Sequence, residues 1–358
     1  MDFPAKRKKT RPVWVGSVKI GDNAPISVQS MTHTKTENVT ATVAQIRALE
    51  KVGCDLVRVA IPTMEAAEAL SQITAQVSAP IVADIHFDAR LALRAAKNGA
   101  KGLRINPGNI GSAEKIKEVV ACAKDLSIPI RIGVNAGSLE KEILHVHGKP
   151  TAAAMVESAL RHVEILTQLD FWDIKISVKA SDIARTVAAY KMLSDQTDFP
   201  LHLGITEAGS MMPSLVKSSA GMGHLLLNGV GDTLRYSITG DPLWEVKAGF
   251  HLLRALGLRN VGPEIISCPT CGRCDIDLEE VVRRVEEATE GLKGPLAIAI
   301  MGCVVNGPGE AKEADIGIAG GKETGILFKK GEVVRKIPEA QLVDELLHEI
   351  QTMTNRSR

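Results

Sequence analysis

The chain has 358 residues, and its net charge at pH 7 is +1 because 43 Lys and Arg residues stand against 42 Asp and Glu residues. A chain of this length can bury a large core and predicts two domains, or one large barrel with an appended domain. The balanced charge gives no basis for bulk attraction to nucleic acid or to a membrane surface.

The sequence shows no targeting or membrane-spanning pattern. The first thirty residues contain no apolar h-region of the signal-peptide type. No apolar stretch approaches the ~20 residues that span a bilayer, and the longest, 296–305, is better explained as a buried strand. These observations predict a cytoplasmic protein, in which cysteines stay reduced and serve metal or redox chemistry.

A short hairpin is predicted over 14–20, followed by a repeating unit of about 25–30 residues that continues to residue 256. Each unit is an apolar, β-branched run followed by an amphipathic helical pattern. The eight predicted strands are 26–31, 56–61, 81–87, 102–106, 128–135, 173–179, 201–207 and 233–239. Helical patterns between them include 39–52, 65–77, 112–126 and 151–169.

This alternation of strands and helices predicts an α/β fold with a parallel sheet. Eight units is the number that closes a (β/α)8 TIM barrel. An open doubly wound sheet is the competing architecture, and it is disfavoured because no G-x-G-x-x-G motif follows the first strand. The predicted barrel domain is 1–256, and 257–263 is predicted to be a linker.

The composition changes after the linker, and 264–358 is predicted to be a small α+β domain. Its predicted helices are 278–292 and 341–353. Its predicted strands are 296–301, 314–318, 325–329 and 332–337. This domain carries four of the six cysteines.

Polar residues stand at the C-terminal ends of almost all predicted barrel strands, where barrel enzymes place their active sites. They are Gln29, Arg58, Asp84, His86, Arg104, Asn106, Arg131, Asn135, Lys175, Lys179, Glu207 and Arg235. Charged side chains on otherwise apolar strands need partners, and a whole ring of them predicts a polar pocket.

Cations outnumber carboxylates in this ring. Because the planar arginine fork binds phosphate oxygens at two points, the surplus predicts a small anionic substrate, a phosphate or diphosphate. Asp84, Glu207 and His86 are candidate general acids or bases. Each of the three could equally serve to orient the arginines.

The cysteine cluster begins with Cys268-Pro-Thr-Cys271-Gly-Arg-Cys274 and continues at Cys303, seven positions before Glu310. A C-x2-C pair places two sulfurs on one tight turn, which suits an iron–sulfur cluster or a tetrahedral zinc ion. A rigid Asn-Gly-Pro-Gly turn presents Glu310 near Cys303, and this spacing favours the carboxylate as a further ligand. The other two cysteines lie on apolar patterns and are expected in the core.

Several long motifs occur in order along the chain. They are VQSMT (28–32), VADIHF (82–87), LRINPGNI (103–110), RIGVNAGSL (131–139), SVKAS (177–181), GITEAG (204–209), CPTC (268–271) and GCVVNGPGE (302–310). With them the chain resembles the bacterial 4-hydroxy-3-methylbut-2-enyl diphosphate synthases of the methylerythritol phosphate pathway. The resemblance extends from about residue 11 to residue 350, nearly the whole chain.

The resemblance implies an iron–sulfur oxidoreductase of isoprenoid biosynthesis with a 4Fe–4S cluster. Its reaction is the two-electron reductive ring opening and dehydration of 2-C-methyl-D-erythritol 2,4-cyclodiphosphate. Electrons arrive one at a time from flavodoxin or ferredoxin. The family also implies a homodimer in which the cluster domain of one subunit caps the barrel of the other.

Family roles transfer by motif position. The implied cluster ligands are Cys268, Cys271, Cys303 and Glu310. The implied diphosphate contacts are Arg58, Arg104, Arg131 and Lys175, and the acidic residues at the barrel mouth are Asp84 and Glu207. From the strand-end ring, Asn106, Asn135, His86 and Arg235 complete the predicted substrate contacts, and Asp84, Glu207 and Glu310 are the predicted catalytic carboxylates.

Cys274 departs from the family pattern and leaves the third sulfur ligand open, since four cysteines could also form an all-cysteine site. Two other functions compete with the redox enzyme. One is a non-redox barrel lyase or synthase with structural zinc, and the other is an electron carrier or metal-binding interaction module. A carrier has no need of the polar ring, and the colour of anaerobically purified protein separates zinc from iron–sulfur.

Overall fold

The computed structural model describes residues 4–106, 110, 112–292, 294–303, 309 and 311–356. The chain divides into two compact units, Met1–Arg259 and Asn260–Arg358. None of the helices within the described ranges combines the length and apolarity needed to cross a membrane.

The first unit begins with a hairpin of β1 (Val13–Val15) and β2 (Val18–Ile20), as predicted. The strands that follow are β3 (Ser27–Met31), β4 (Leu56–Ile61), β5 (Ile81–Ile85), β6 (Gly102–Ile105), β7 (Ile130–Asn135), β8 (Ile174–Lys179), β9 (His202–Leu203) and β10 (Thr233–Leu234). The helices are α1 (Val39–Lys51), α2 (Met64–Thr74), α3 (Ala89–Lys97), α4 (Ala113–Asp125), α5 (Lys141–His147), α6 (Ala152–Gln168), α7 (Ile183–Gln196), α8 (Met211–Leu227) and α9 (Leu243–Ala255).

The eight strands β3–β10 form one parallel sheet in the order β8-β7-β6-β5-β4-β3-β10-β9. A parallel bridge between Ile176 and Leu201 joins the two ends of this sheet. The predicted TIM barrel is therefore confirmed.

Local chemistry sets where many of these helices begin. A side-chain oxygen at the N-cap accepts a backbone N–H of the first turn, which satisfies a donor that would otherwise have no partner. The residues that do this in the barrel are Asn38, Thr63, Asp88, Thr151 and Asp182.

The hairpin packs at the N-terminal end of the barrel strands. Val15 and Ile20 of the hairpin form an apolar cluster with Leu56 and Val82, which lie at the starts of β4 and β5. The C-terminal ends of the strands, where barrel enzymes bind substrate, lie at the opposite end.

Two predicted strands are wrong in length, since β9 and β10 have two residues each rather than seven. After β9 the chain turns, and Glu207 adopts a left-handed φ of +53°. After β10 the N–H of Ile238 donates to the carboxylate of Glu245 instead of to a neighbouring strand. Both departures create irregular loops at the barrel mouth.

Among its described residues, the second unit has a five-stranded mixed sheet covered by two helices. Its elements are β11 (Pro263–Ser267), α10 (Leu278–Thr289), β12 (Leu296–Met301), β13 (Ile316–Ala319), β14 (Thr324–Lys329), β15 (Glu332–Pro338) and α11 (Leu342–Arg356). Strands β11, β12 and β13 pair in parallel, and β14 and β15 continue the sheet antiparallel. This confirms the small α+β domain.

Candidate active site

Five basic side chains are gathered inside the barrel. They are Arg58 of β4, Arg104 of β6, Arg131 of β7, and Lys175 and Lys179 of β8. Arg104 pairs in register with Arg131, and Arg131 with Lys175, so like charges stand side by side on neighbouring strands. The one buried carboxylate on the described barrel strands is Asp84 of β5. The interior therefore carries a large excess of positive charge.

Arg131 is, with Lys175, one of the two most buried of these five cations. Its side chain is 2% exposed, and its Nε and Nη1 atoms have no hydrogen-bond partner among the described residues. Burial first, and then the charges of Arg58 and Arg104, lower its pKa well below the ordinary arginine value. Because buried charged donors without partners are costly, these two nitrogens favour an anionic ligand beside them.

The pKa values of the two lysines of β8 are lowered for the same reasons. Burial and the neighbouring charge of Arg131 lower the pKa of Lys175 to about 7. Lys179 lies four residues nearer the C-terminal end of the strand, level with Asn135, and burial among the arginines lowers its pKa well below the ordinary lysine value. A bound dianion would relieve both effects, since opposite charge favours the protonated ammonium.

Asp84 organises the part of the mouth formed by β4, β5 and β6. Its Oδ1 accepts a hydrogen bond from Arg104 Nη1 at 3.2 Å, and its Oδ2 lies 3.7 Å from Arg58 Nε. Arg104 Nη1 is also 2.8 Å from Nε2 of His86, which is half exposed. Burial alone would raise the pKa of Asp84, but Arg58, His86 and Arg104 together lower it well below its ordinary value. Asp84 is therefore an anion at neutral pH.

Two glycines, one on β7 and one directly after β9, make room for these cations. A Cβ atom on Gly133 would lie 2.6 Å from Arg104 Nε, and one on Gly204 would lie 2.5 Å from Lys179 Nζ. Arg104 Nη2 also donates to the carbonyl of Gly133 at 3.3 Å. The space beside these two glycines is thus filled by charged side chains rather than by apolar packing.

The remaining predicted barrel residues differ in their surroundings. Asn106 is buried just beyond β6, and Asn135 is partly buried at the end of β7. Glu207 is exposed, four residues beyond β9. Arg235 follows β10 and forms a two-point ion pair with Glu245 of α9.

Sequence reasoning missed two buried groups at this site. Glu245 is fully buried. Its pairing with Arg235 depends on how α9, a helix of the barrel's outer layer, packs on the strands. His202 of β9 is also fully buried, and burial together with the charges of Arg131 and Lys179 lowers its pKa well below the ordinary histidine value. The only sequence signal for His202 was its position at the start of a strand, where side chains alternate between the two faces of the sheet.

In the second unit, the first cysteine and Cys303 follow two adjacent strands. Cys268 comes directly after β11 and Cys303 two residues after β12, and the two strands are parallel. Their C-terminal ends therefore lie at the same edge of the sheet. The backbone N–H of Gly302 donates to Cys268 Sγ at 3.3 Å, and such bonds to sulfur are typical of thiolate-bound clusters.

The other cysteines of the stretch behave differently from each other. Cys271 is exposed on the turn that the Cys274 N–H closes by donating to its carbonyl at 2.9 Å. Cys274 turns its own thiol towards the carbonyl of Ile276 at 3.2 Å. None of the described cysteines forms a disulfide.

The fit to a metal group rests on these thiols alone, because Glu310 lies outside the described residues. Among the residues that are described, no three His, Cys, Asp or Glu side chains stand close enough together to hold a metal ion. The donor chemistry nevertheless suits iron–sulfur, with three cysteines free of disulfides and a backbone N–H already directed at one sulfur. Cys274 differs from Cys268 in that its thiol donates to a backbone carbonyl, whereas Cys268 Sγ accepts a backbone N–H.

Comparison with known families matches both units. Residues 10–250 match the GcpE TIM-barrel domain, and residues 264–352 match the GcpE protein C-terminal domain. The chain belongs to the GcpE family.

Curated GcpE-type relatives are similar to this chain along nearly its whole length. Those of Thermodesulfovibrio yellowstonii and Geobacter sulfurreducens are 54% and 56% identical, cover 97% and 96% of this chain, and are themselves covered to 99% and 98%. A relative from Caldanaerobacter subterraneus subsp. tengcongensis is 56% identical, with 97% of this chain and 98% of the relative covered. All three are named 4-hydroxy-3-methylbut-2-en-1-yl diphosphate synthase (flavodoxin).

Among solved structures, the dihydropteroate synthase of Yersinia pestis aligns with a TM-score of 0.51 at 10% identity, covering 70% of this chain and all of that one. At this level of identity the likeness concerns the barrel fold alone.

Proposed function

We propose that the chain catalyses the reductive ring opening and dehydration of 2-C-methyl-D-erythritol 2,4-cyclodiphosphate to 4-hydroxy-3-methylbut-2-enyl diphosphate. Its membership of the GcpE family and the shared name of relatives at 54–56% identity support this activity. The single observation in the molecule that carries the proposal is the buried cation excess around Arg131, whose Nε and Nη1 lack partners among the described residues.

The cyclic diphosphate binds between the basic strands in this proposal. Arg58, Arg104, Arg131 and Lys175 grip the phosphate oxygens, and Lys179 adds a further ammonium nearer the mouth. Asn106, Asn135, His86 and Arg235 complete the contacts. The cationic walls neutralise a dianion that would otherwise be repelled by a thiolate-rich centre.

Asp84 and Glu207 have different proposed roles in the reaction. Asp84 stays ionised and orients Arg58, Arg104 and His86, because its pKa is far below neutral. Ring opening breaks a C–O bond to a diphosphate oxygen, and the hydroxyl oxygen leaves as water after it gains a proton. Glu207, exposed at the mouth with a left-handed backbone, is the proposed donor of that proton.

Cys268, Cys271, Cys303 and Glu310 are the proposed ligands of a 4Fe–4S cluster. Held by these residues, such a cluster would pass electrons from an external donor to the substrate one at a time. Flavodoxin is the expected electron donor on the basis of the relatives' name, with ferredoxin as the alternative. The working division is a substrate-binding barrel at 1–256, a linker at 257–263 and a cluster domain at 264–358.

The direct test is anaerobic purification, iron and sulfide analysis, and turnover of the cyclodiphosphate with reduced flavodoxin. We expect a brown protein that forms the linear diphosphate. Replacing Cys268, Cys271 or Cys303 by Ser should abolish iron binding, with Cys274→Ser as the matched variant that retains it. A colourless zinc protein, or iron lost with Cys274→Ser but kept with Cys303→Ser, would overturn the assignment.

We further propose a homodimer in which the cluster domain of each subunit serves the barrel of the other. Mixing two inactive variants, Arg104→Ala and Cys303→Ala, and letting the subunits reassociate should restore about a quarter of the wild-type activity, since half the dimers then contain one intact pair. Mixtures that stay inactive despite proven subunit exchange would exclude this arrangement.

A further inference from the structure

Glu245 reaches the barrel mouth from a helix outside the barrel. Its Oε2 accepts a hydrogen bond from Arg235 Nε at 3.0 Å, and its Oε1 accepts one from Arg235 Nη2 at 2.9 Å. Ser30 Oγ and the N–H of Ile238 donate to the same carboxylate at 2.7 and 3.2 Å. Glu245 is fully buried, and four donors from three residues, one on β3 and two after β10, satisfy it.

A close helix–sheet approach makes this reach possible. Gly249 lies one helical turn after Glu245 on the same face of α9. A Cβ atom on Gly249 would stand 2.7 Å from Val28 and 3.1 Å from Leu234, so the glycine lets α9 settle directly on β3 and β10. A bulkier residue there would hold the carboxylate away from the mouth.

The ion pair with Glu245 fixes the guanidinium of Arg235 close to other cations. Arg235 lies near Arg58, and the repulsion between them contributes to the lowered pKa of Arg58, about 10, whose main cause is burial. Two-point pairing uses the Nε and Nη2 edge of Arg235 and leaves Nη1 directed elsewhere. An arginine held in this way can present Nη1 to a ligand without losing side-chain freedom at the moment of binding.

We propose that Glu245 is a positioning residue, which acts through Arg235 to hold a pre-oriented guanidinium at the mouth of the barrel for the anionic substrate. This inference rests on the proposed function and assigns a role to a helix residue outside the strand-end ring. Glu245 itself need not touch the substrate, so its effect should disappear when Arg235 is absent.

A double-mutant cycle on the anaerobically loaded holoenzyme tests this dependence. Glu245→Gln is nearly isosteric, and we expect it to lower kcat/KM for the cyclodiphosphate about 30-fold. In an Arg235→Gln background the same change should alter kcat/KM by less than about two-fold. Equal losses in both backgrounds would show a general structural role and overturn the proposal, as would a Glu245→Gln enzyme with wild-type kinetics.

A matched control separates positioning from loss of stability. Asp55 forms a partly buried two-point pair with Nη1 and Nη2 of Arg259, at 2.6 and 2.9 Å, next to the N-terminal end of β4. Asp55→Asn should lower thermal stability by a similar amount and leave kcat/KM of the folded enzyme unchanged. If Glu245→Gln does not fold, Glu245→Asp replaces it in the cycle, because it is one methylene shorter and breaks the two-point contact.

The two proposals fail in different ways. A wild-type holoenzyme with a full iron content that does not turn over the cyclodiphosphate would contradict the proposed function. Turnover by the wild type with an additive cycle would contradict only the role of Glu245.

Discussion

At the scale of single residues, the buried charges of the barrel interior lower the stability of the fold. Arg131, Lys175 and Lys179 are buried beside one another, and burial opposes the charged form of each. Such an arrangement is unfavourable for folding and useful for binding, because an anion that enters meets groups already stripped of water.

Gly133→Ala tests whether the space for Arg104 matters. The new Cβ would meet Arg104 Nε at 2.6 Å and the guanidinium would have to leave Asp84, so we expect KM to rise about tenfold and the fold to lose about 1–3 kcal/mol. Gly137→Ala is the control, since nothing lies within 4 Å of its Cβ position. Steady-state kinetics that do not distinguish the two variants would refute this steric account.

Lys175 should impose a pH dependence on stability. Its folded pKa of about 7 lies below the unfolded value, so the unfolded chain binds more protons between about pH 7 and 10. The free energy of unfolding of substrate-free protein should therefore rise across that window. Lys175→Met should be more stable than wild type by on the order of 2–5 kcal/mol at pH 7, and the gap should narrow towards pH 10.

Denaturant unfolding of wild type and Lys175→Met at several pH values measures this gap. Lys117→Met, at an exposed position on α4, is the control and should show a constant difference from wild type. Parallel curves for wild type and Lys175→Met would mean that the ammonium of Lys175 is not desolvated in the folded state.

At the scale of elements, the sequence specified most strands and helices of the barrel, because β-branched runs and amphipathic patterns have different periods. It overestimated β9 and β10, whose later residues leave the sheet. It also missed β11, an edge strand that begins at Pro263, inside the predicted linker. Half-buried edge strands lack the apolar alternation on which such prediction depends.

Alanine substitutions at two helix glycines should change the stability of the fold in opposite directions. Gly249→Ala should destabilise the fold by about 1–3 kcal/mol, because its Cβ would press on Val28 and lift α9 from the sheet. Gly223→Ala on α8 meets only Leu252 at 3.7 Å, so it should stabilise the fold by about 0.5–1 kcal/mol through helix propensity. Thermal unfolding of both variants measures these shifts, and shifts of the same sign would contradict the packing described for α9.

At the scale of the whole molecule, the sequence predicted the kinds of residue at the site better than their relations. Asp84 and the arginines could be found because barrel strands end at the active site. The pairing of Arg235 with Glu245 could not, since it joins a strand end to a helix through tertiary packing. The sequence also did not predict how deeply Lys175 is buried. The alternation of side chains along a strand shows which face a residue occupies, but not how far that residue lies from solvent.

Within the described part of the chain, Nε and Nη1 of the buried Arg131 guanidinium have no hydrogen-bond partner, and we expect them to receive the anionic substrate. Calorimetric titration of the anaerobic holoenzyme with the cyclodiphosphate tests it, with exposed Arg161→Gln as the control. We expect Arg131→Gln to weaken binding about 30-fold or more while Arg161→Gln leaves it unchanged. Binding by folded Arg131→Gln as tight as that of wild type would contradict this role of Arg131.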